Sequence, residues 1–311
     1  MNLVWRISLG ALLIAGLAGL CYLDSLAGPS RASSWLNPPG GWLFLLALLA
    51  SVLGTGEVIS LARSRGTQPI PWIAYLFTFA IVATNVIPSL WPTCPVTAKL
   101  GLLAWPMLAV AAGLLAAFLG EMARYEKPGE VLRQLTATVF PMLYVGVLLT
   151  FVVQLRQWRA EEGLGLVALL SMIVVVKMGD SGAYTIGRIF GRHKMAPVLS
   201  PGKTWEGFAG AMLFAVLGAL LVWWLAPKLS ASDSTLSAKI GPCWGWILYG
   251  LIVGLAGLLG DLAESLLKRD AGVKDSSTWM PGFGGVLDVL DSILIAAPVA
   301  FFCWAVGLVG A

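Results

Sequence analysis

Charge is scarce in this 311-residue sequence: Asp, Glu, Lys and Arg make up 12% of it, against about 25% in an average soluble protein. This composition argues against an ordinary soluble domain. The four cysteines lack the CxxC spacing of metal sites, so we expect ordinary apolar residues, with a Cys94–Cys243 disulfide as a minor alternative. The only histidine, His193, lies in a basic loop, where we expect it to be solvated or to act as a cap.

Apolar residues, by contrast, make up 58% of the chain, and the mean hydropathy is +0.85. A membrane-spanning helix needs about 20 mostly apolar residues. The sequence therefore predicts an all-α polytopic membrane protein with about nine transmembrane helices. The first is expected to be a retained helix, because no clear signal-peptide cleavage site follows it. The predicted spans are residues 3–23, 42–62, 71–90, 98–120, 137–155, 164–180, 206–226, 243–265 and 285–310.

The distribution of Lys and Arg predicts the orientation of these spans, because cytoplasmic loops are enriched in basic residues. The rule favours a cytoplasmic N-terminus and a C-terminus outside. Residues 1–160 would form an N-terminal membrane region of about five spans, and residues 161–311 a catalytic membrane region. Two charged loops, 181–205 and 266–284, would then face the cytoplasm.

Carboxylates lie at the junction of the last two predicted spans. Asp261 and Ser265 share one helix face, and Asp288 and Asp291 share another. If these two spans pack together, three carboxylates converge, and such a cluster needs a cation. Ligand sets made only of oxygen suit a hard ion, with Mg²⁺ as the default.

Basic residues and a glycine-rich turn accompany the carboxylates. Lys268, Arg269 and Lys274 supply positive charge, and residues 281–285 (PGFGG) precede the last span, where backbone N–H groups can approach an anion. This combination is typical of phosphoryl or nucleotidyl transfer. Alternatively, the basic residues are simple positive-inside anchors, and Asp261, Glu264 and Lys268 form a salt-bridged helix end.

A second polar cluster begins at the end of the sixth predicted span. It fits a nucleotide or phosphate grip, but it lacks the GxxxxGK[ST] frame of a P-loop. Lys177 could either snorkel outward or pair with a carboxylate. Glu57 lies in the middle of the second span and is a functional candidate without an identified partner. The residues of the cluster that we expect to bind substrate are Asp180, Ser181, Tyr184, Arg188, Ser200, Lys203 and Thr204.

Both clusters resemble the phosphatidate cytidylyltransferase (CDP-diacylglycerol synthase) family in residue type and spacing. The first five spans resemble it only in hydropathy. Two positions depart from the family pattern: Phe283 replaces a His, and Val289 replaces an Arg. The matching residues are Asp180, Ser181, Ala183, Tyr184, Gly187, Arg188, residues 200–201, residues 203–207, Ser265, Lys268, Arg269, Lys274, Asp275, Pro281, Gly284, Gly285, Asp288 and Asp291.

The resemblance implies transfer of the cytidylyl group of CTP to phosphatidic acid, giving CDP-diacylglycerol and pyrophosphate for phospholipid synthesis. It implies Mg²⁺ on Asp261, Asp288 and Asp291, with a second cation such as K⁺ near Asp291, and a homodimer in the lipid bilayer of the cell inner membrane. No nucleic-acid partner is expected, and the active site would face the cytoplasm. The expected catalytic residues are Asp261, Lys268, Asp288 and Asp291, and the further substrate-binding residues are Ser265, Arg269, Lys274, Asp275, Gly284 and Gly285.

Three alternatives remain open. A related CTP-dependent transferase or kinase would use another lipid acceptor, such as a polyprenol or phytol. An ion-coupled transporter would use the intramembrane carboxylates as a cation path, although its site should lie near the bilayer midplane between repeats, and no repeat is visible. A catalytically inactive relative would explain Phe283 and Val289.

Overall fold

A computed structural model describes residues 15–24, 40–91, 93–229, 239–277 and 284–310. It is mostly helical, and eight of its helices are long and apolar enough to cross a membrane. The chain is therefore an integral membrane protein. The eight long helices are α1 (Gly41–Ser64), α2 (Pro71–Leu90), α3 (Ala104–Ala123), α4 (Val131–Gln157), α5 (Leu164–Phe190), α6 (Trp205–Leu229), α7 (Cys243–Asp270) and α8 (Val286–Ala305).

These helices confirm the second to ninth predicted spans. Residues 15–24, within and just beyond the first predicted span, are also helical, and the rest of that span lies outside the described residues. The count of nine and the orientation of both termini stay predictions. All four cysteine thiols are free, so the alternative of a Cys94–Cys243 disulfide is wrong.

The all-α prediction is wrong for one short segment, an antiparallel hairpin formed by β1 (Lys194–Ala196) and β2 (Ser200–Thr204).

Both predicted loops begin later than expected. Helix α5 continues through residues 181–190, which we predicted to be loop, because their polar side chains do not interrupt a helix, and α5 ends only before Gly191. Helix α7 likewise continues to Asp270, so residues 266–270 are helical rather than part of the second loop.

The chain divides into two compact units. Unit 1 comprises Met1–Gln154 and Asp270–Val289, and unit 2 comprises Leu155–Arg269 and Leu290–Ala311. The predicted division of the chain at residue 160 into a membrane region and a catalytic region stays a prediction.

In unit 1, α2 packs against α1, α3 and α4. Helix α4 contains Pro141, which has no N–H to donate, and the wider π-helical turn Met142–Val147 follows it directly. The core of this bundle consists of apolar side chains, namely Ile70, Ile73, Ile81, Ala117, Leu135 and Met142.

In unit 2, glycines allow the helices to approach closely, as is common in membrane bundles. A Cβ atom at Gly250 of α7 would lie 2.8 Å from Val216 Cα of α6. A Cβ atom at Gly257 would lie 3.3 Å from the Val176 side chain of α5. Helix α7 is therefore held against both α5 and α6, which brings the polar residues of these helices together.

Candidate active site

Unit 2 contains a cavity of about 300 Å³ that is lined by α5, the hairpin, α6 and α7. This volume lies at the lower end of the range of small-molecule sites. Two carboxylates and an ammonium group contribute to its lining, together with hydroxyl groups. Six of the residues predicted to form the site line this cavity: Asp180, Tyr184, Ser200, Lys203, Thr204 and Asp261.

Lys203 is the cation of this cavity. It lies on β2, and its Nζ atom is 2.9 Å from Asp261 Oδ2 on α7. The same Nζ donates a hydrogen bond of 3.4 Å to the carbonyl oxygen of Leu258. The Lys203 side chain is 17% exposed and that of Asp261 is 37% exposed, so the pair is only partly desolvated and remains open to a ligand.

A second ion pair lies on α5. Lys177 Nζ is 3.2 Å from Asp180 Oδ2, which settles the earlier alternative for Lys177: it pairs with a carboxylate. Asp180 is also close enough to Asp261 and Lys203 to interact with them electrostatically. The two lysines and two aspartates therefore form one charge network, of which Asp180, Lys203 and Asp261 line the cavity.

Asp291 extends this network from α8. Its carboxylate is buried and interacts electrostatically with Asp261 and Lys177. Its Oδ1 atom accepts hydrogen bonds from the Ser292 N–H at 2.5 Å and the Ser292 hydroxyl at 3.0 Å. Helix α7 approaches α8 closely enough for Asp261 and Asp291 to interact, since a Cβ atom at Gly260 of α7 would lie 2.5 Å from the Asp291 carbonyl oxygen.

Within the described ranges, no group of three or more His, Cys, Asp or Glu side chains is gathered closely enough to hold a metal ion. Asp261 and Asp291 nevertheless form a pair of interacting carboxylates. Mg²⁺ is commonly bound by one or two carboxylates, with substrate phosphates and waters completing its shell. The donor set of unit 2 fits that mode of binding.

Asp288, in unit 1, lies in the first turn of α8 and caps the N-terminus of this helix. Its Oδ2 atom accepts hydrogen bonds from the Ser276 N–H at 2.9 Å, the Ser276 hydroxyl at 2.6 Å and the Gly285 N–H at 2.7 Å. A side chain that reaches back to the N–H group preceding its own helix is a capping interaction. In this structure the Gly285 N–H, which we expected to bind substrate, therefore donates to Asp288.

Glu57 provides the second half of this cap, and the sequence could not identify its partner. Its Oε1 atom accepts a hydrogen bond from the Val286 N–H at 2.8 Å, and its Oε2 atom accepts one from the Leu287 N–H at 2.9 Å. The Ser276 hydroxyl is a further 2.9 Å from Oε2. Glu57 is a residue that sequence reasoning flagged only as an intramembrane carboxylate.

The basic residues at the end of α7 have protein partners. Lys268 Nζ is 2.7 Å from Glu264 Oε2, and the Glu264 side chain is fully buried. The alternative of a salt-bridged helix end is thus correct for this pair. Arg269 Nε donates a hydrogen bond of 3.4 Å to the Leu199 carbonyl oxygen.

Lys274 and Asp275 are exposed in the segment that follows α7. They belong to unit 1, in which Arg65 and Asp270 form an exposed ion pair of 2.9 Å. The hydrogen bond from Arg65 to Asp270, with the attraction of the two charges, raises the pKa of Arg65 above its ordinary value. Pro281 and Phe283, named in the family resemblance, lie outside the described residues.

Several of the predicted residues also make local contacts. The Ser181 hydroxyl donates to the Lys177 carbonyl oxygen at 2.8 Å, and the Ser265 hydroxyl lies 3.4 Å from Asp261 Oδ1. Arg188 contacts the Tyr184 hydroxyl and ring. The Thr204 hydroxyl accepts the Gly207 N–H at 3.1 Å, which caps the start of α6.

Sequence reasoning also missed the partner of His193. Its Nδ1 atom is 2.6 Å from Glu206 Oε1, and Glu206 Oε2 accepts the backbone N–H groups of Arg192 and His193. Glu206 therefore ties the base of the hairpin to the first turn of α6. This contact holds in place the strand that carries Lys203.

The chain is similar to known phosphatidate cytidylyltransferases. The chain is 30% identical over 270 residues to a phosphatidate cytidylyltransferase of Mycobacterium bovis, and the alignment covers 85% of this chain and 80% of that protein. It is 30% identical over 277 residues to the phosphatidate cytidylyltransferase of Synechocystis, covering 85% and 88% of the two chains. The enzyme of the same name from Haemophilus influenzae is 39% identical over 145 residues, 47% of this chain and 48% of that one.

Residues 33–306 match the model of the cytidylyltransferase family. This match includes the cavity of unit 2 and both ends of the capping interaction at α8. The chain belongs to the cytidylyltransferase family.

Proposed function

We propose that this protein is a phosphatidate cytidylyltransferase, which transfers the cytidylyl group of CTP to phosphatidic acid and releases pyrophosphate. The observation that carries this assignment is the cavity in which Lys203 and Asp261 face each other next to Asp180. A nucleoside triphosphate needs positive charge for its phosphates, and a reaction at phosphorus needs charge stabilisation more than covalent chemistry. The relatives carry the name of this activity over most of the length of this chain.

In the reaction, a phosphate oxygen of the lipid attacks the α-phosphorus of CTP. A new phosphorus–oxygen bond forms on the lipid side, and the bond to the pyrophosphate leaving group breaks. No covalent intermediate with the protein is required, because positioning and electrostatic stabilisation carry this class of transfer. Lys203 would hold a phosphate oxygen, which is supported by its positive charge and by its position in the lining of the cavity.

Asp261 and Asp291 would hold the magnesium ion, with Asp288 as the third ligand that the sequence motif predicts. When bound, such an ion neutralises the phosphates and orients the leaving group. Asp180, Ser181, Tyr184, Arg188, Ser200 and Thr204 stay proposed substrate-binding residues on the α5 and hairpin side. So do Ser265, Arg269, Lys274, Asp275, Gly284 and Gly285. Lys268 stays a proposed catalytic residue, and its Nζ atom pairs with Glu264.

The cavity is proposed to face the cytoplasm, where CTP is found, and the protein to work as a homodimer in the inner membrane. A second cation such as K⁺ is proposed next to Asp291. Of these, the cytoplasmic orientation rests on the excess of Lys and Arg in the loops that carry the site. The dimer and the second cation rest on the family resemblance alone.

The test is a transfer assay with purified protein in detergent micelles, phosphatidic acid, Mg²⁺ and CTP labelled at the α-phosphate. Label should appear in the lipid with wild-type protein and be lost in Asp261→Asn. A correctly folded wild-type protein that transfers no label would disprove the assignment. In that case polyprenol and phytol would be tried as acceptors, with CTP labelled at the α-phosphate to detect a transferase and at the γ-phosphate to detect a kinase. Label in neither lipid would indicate an inactive relative.

A further inference from the structure

Glu57 is a carboxylate that the reaction described above does not use. It lies in the C-terminal half of α1 and is only 6% exposed. An ionisable side chain inside a membrane helix is costly, and it persists where specific partners offset the cost. Its partners are the first backbone N–H groups of α8, which have no acceptor within their own helix.

The geometry of this contact is specific for a carboxylate of this length. Each oxygen of Glu57 receives one N–H group, from Val286 at 2.8 Å and from Leu287 at 2.9 Å. Negative charge at a helix N-terminus is also favoured by the helix dipole. A Gln side chain would present an NH₂ group to one of the two N–H donors, and an Asp side chain would be one methylene too short.

The same carboxylate also holds the segment that precedes α8. The Ser276 hydroxyl lies 2.9 Å from Glu57 Oε2 and 2.6 Å from Asp288 Oδ2, so it stands between the two acids. Gly285 lies against this group, and a Cβ atom there would overlap both the Ser276 hydroxyl and the Glu57 carboxylate. Three parts of unit 1 thus meet at Glu57: α1, the segment after α7 and the first turn of α8.

We propose that Glu57 is a positioning residue for the transfer reaction, acting by fixing the first turn of α8. This proposal rests on the proposed function, because that turn carries Asp288 and the next turn carries Asp291. Glu57 contacts backbone N–H groups and Ser276, and it acts on the reaction through the helix. The backbone N–H groups at the start of α8, which could bind an anion, are bound by the carboxylate of Glu57.

The opposite possibility is that a phosphate of the substrate displaces Glu57 from these N–H groups. The two cases differ in what removal of the charge does. If Glu57 is an anchor, its loss loosens the helix start and lowers turnover. If Glu57 is a displaceable stand-in, its loss leaves the site open and increases the affinity for CTP.

The experiment compares wild-type protein with Glu57→Gln, Glu57→Asp and a control, Glu121→Gln. Glu121 is also a buried carboxylate of a membrane helix in unit 1, but it pairs with Arg124 close by in the chain. Hydrogen–deuterium exchange would be measured on peptides covering residues 284–290, without substrate or metal. Steady-state kcat and KM for CTP would be measured on the same preparations.

Exchange of the first-turn amides should be faster in Glu57→Gln by a factor on the order of ten, because two hydrogen bonds to a charged acceptor are weakened. We expect kcat to fall by a factor of similar order, with the KM for CTP changed by less than about twofold, as for a lost positioning interaction. Glu57→Asp should show the same pattern, and Glu121→Gln should match wild type in both measurements.

Unchanged exchange in both Glu57 variants would disprove the proposal that Glu57 fixes the start of α8. A lowered KM for CTP would disprove it as well. If Glu57→Gln cannot be purified, Glu57→Asp keeps the charge and decides the question. Wild-type exchange and kcat in that variant would then refute the proposal. A wild-type protein without transfer activity would disprove the proposed function, and the exchange data would still decide whether Glu57 fixes the start of α8.

Discussion

Lys203 and Asp261 form an ion pair of 2.9 Å in unit 2, and both side chains line the same cavity. The pair joins the short β-hairpin to helix α7. It places a positive group next to one of the carboxylates that we expect to bind magnesium. A lysine in this position can neutralise Asp261 in the empty site and a phosphate in the loaded one.

Replacing this lysine should impair the reaction far more than it impairs folding. For Lys203→Met we expect kcat/KM for CTP to fall by at least about a hundredfold, the usual loss when a charge-stabilising donor is removed. Lys203→Arg should retain part of the activity, since it keeps the charge but changes the reach of the donor. The assay is cytidylyl transfer, with thermal unfolding in detergent as the control for folding. Near-normal activity of Lys203→Met would remove Lys203 from the site.

The carboxylates should be essential for turnover and for the response to metal. Asp261→Asn and Asp291→Asn should abolish transfer with little loss of folded protein, and so should Asp288→Asn if it completes the metal site. Chelation by EDTA should stop the wild-type reaction, and added Mg²⁺ should restore it. Transfer that continues in excess EDTA would exclude the proposed use of the metal, and wild-type activity of both the Asp261 and Asp291 variants would exclude the assignment of ligands.

A single methyl group should test how closely α7 and α8 must approach. In Gly260→Ala the new Cβ atom would lie 2.5 Å from the Asp291 carbonyl oxygen and 2.9 Å from Ser292 Cα. Backbone atoms cannot move aside cheaply, so we expect a destabilisation of about 1–3 kcal/mol and a loss of activity. The matched control is Gly19→Ala, where nothing lies within 4 Å of the added carbon. Equal stability of the two variants in thermal unfolding would contradict this packing.

Cysteine labelling should test the predicted orientation. Val198 at the hairpin is 91% exposed, and Ser277 lies in the segment after α7. An impermeant thiol reagent should label Val198→Cys and Ser277→Cys only after the cells are opened, because both positions are predicted to face the cytoplasm. Wild-type protein serves as the control, since three of its four cysteines are buried. Cys243 is partly exposed, so only labelling of a variant in intact cells above the wild-type level would invert the topology.

Much of this molecule could be predicted from one sequence, because its spans are long and apolar and its polar residues are few. The spans from residue 42 onward follow from hydropathy. Asp180, Lys203 and Asp261 were each predicted as site residues, but in two separate clusters, and only the structure brings the three together around one cavity. The hairpin was missed because β1 and β2 contain only three and five residues, too few for a periodic pattern.

The partner of Glu57 could not be predicted, because its contacts lie more than 200 positions away in the chain. Backbone N–H groups are identical at every residue, so the sequence carries no mark of which helix start a distant carboxylate will cap. The role of Lys268 was uncertain for a related reason. A lysine next to Glu264 can serve a phosphate or its own helix, and burial of Glu264, which only the structure shows, favours the helix.

The length of α5 and α7 has a consequence for the environment in which the protein works. With 27 and 28 residues, these helices are each about 40 Å long, whereas the hydrocarbon layer of a typical bilayer is about 30 Å thick. If each helix enters this layer at its first residue, about 20 residues fill the layer, so Asp180 and Asp261 fall near its far edge and Tyr184 lies in the surplus turns. We therefore expect the cavity to lie near the depth where lipid headgroups meet water. A rigid helix keeps the distance between its first residue and these side chains constant. Activity should therefore depend on the thickness of the host membrane as well as on the lipid that is consumed.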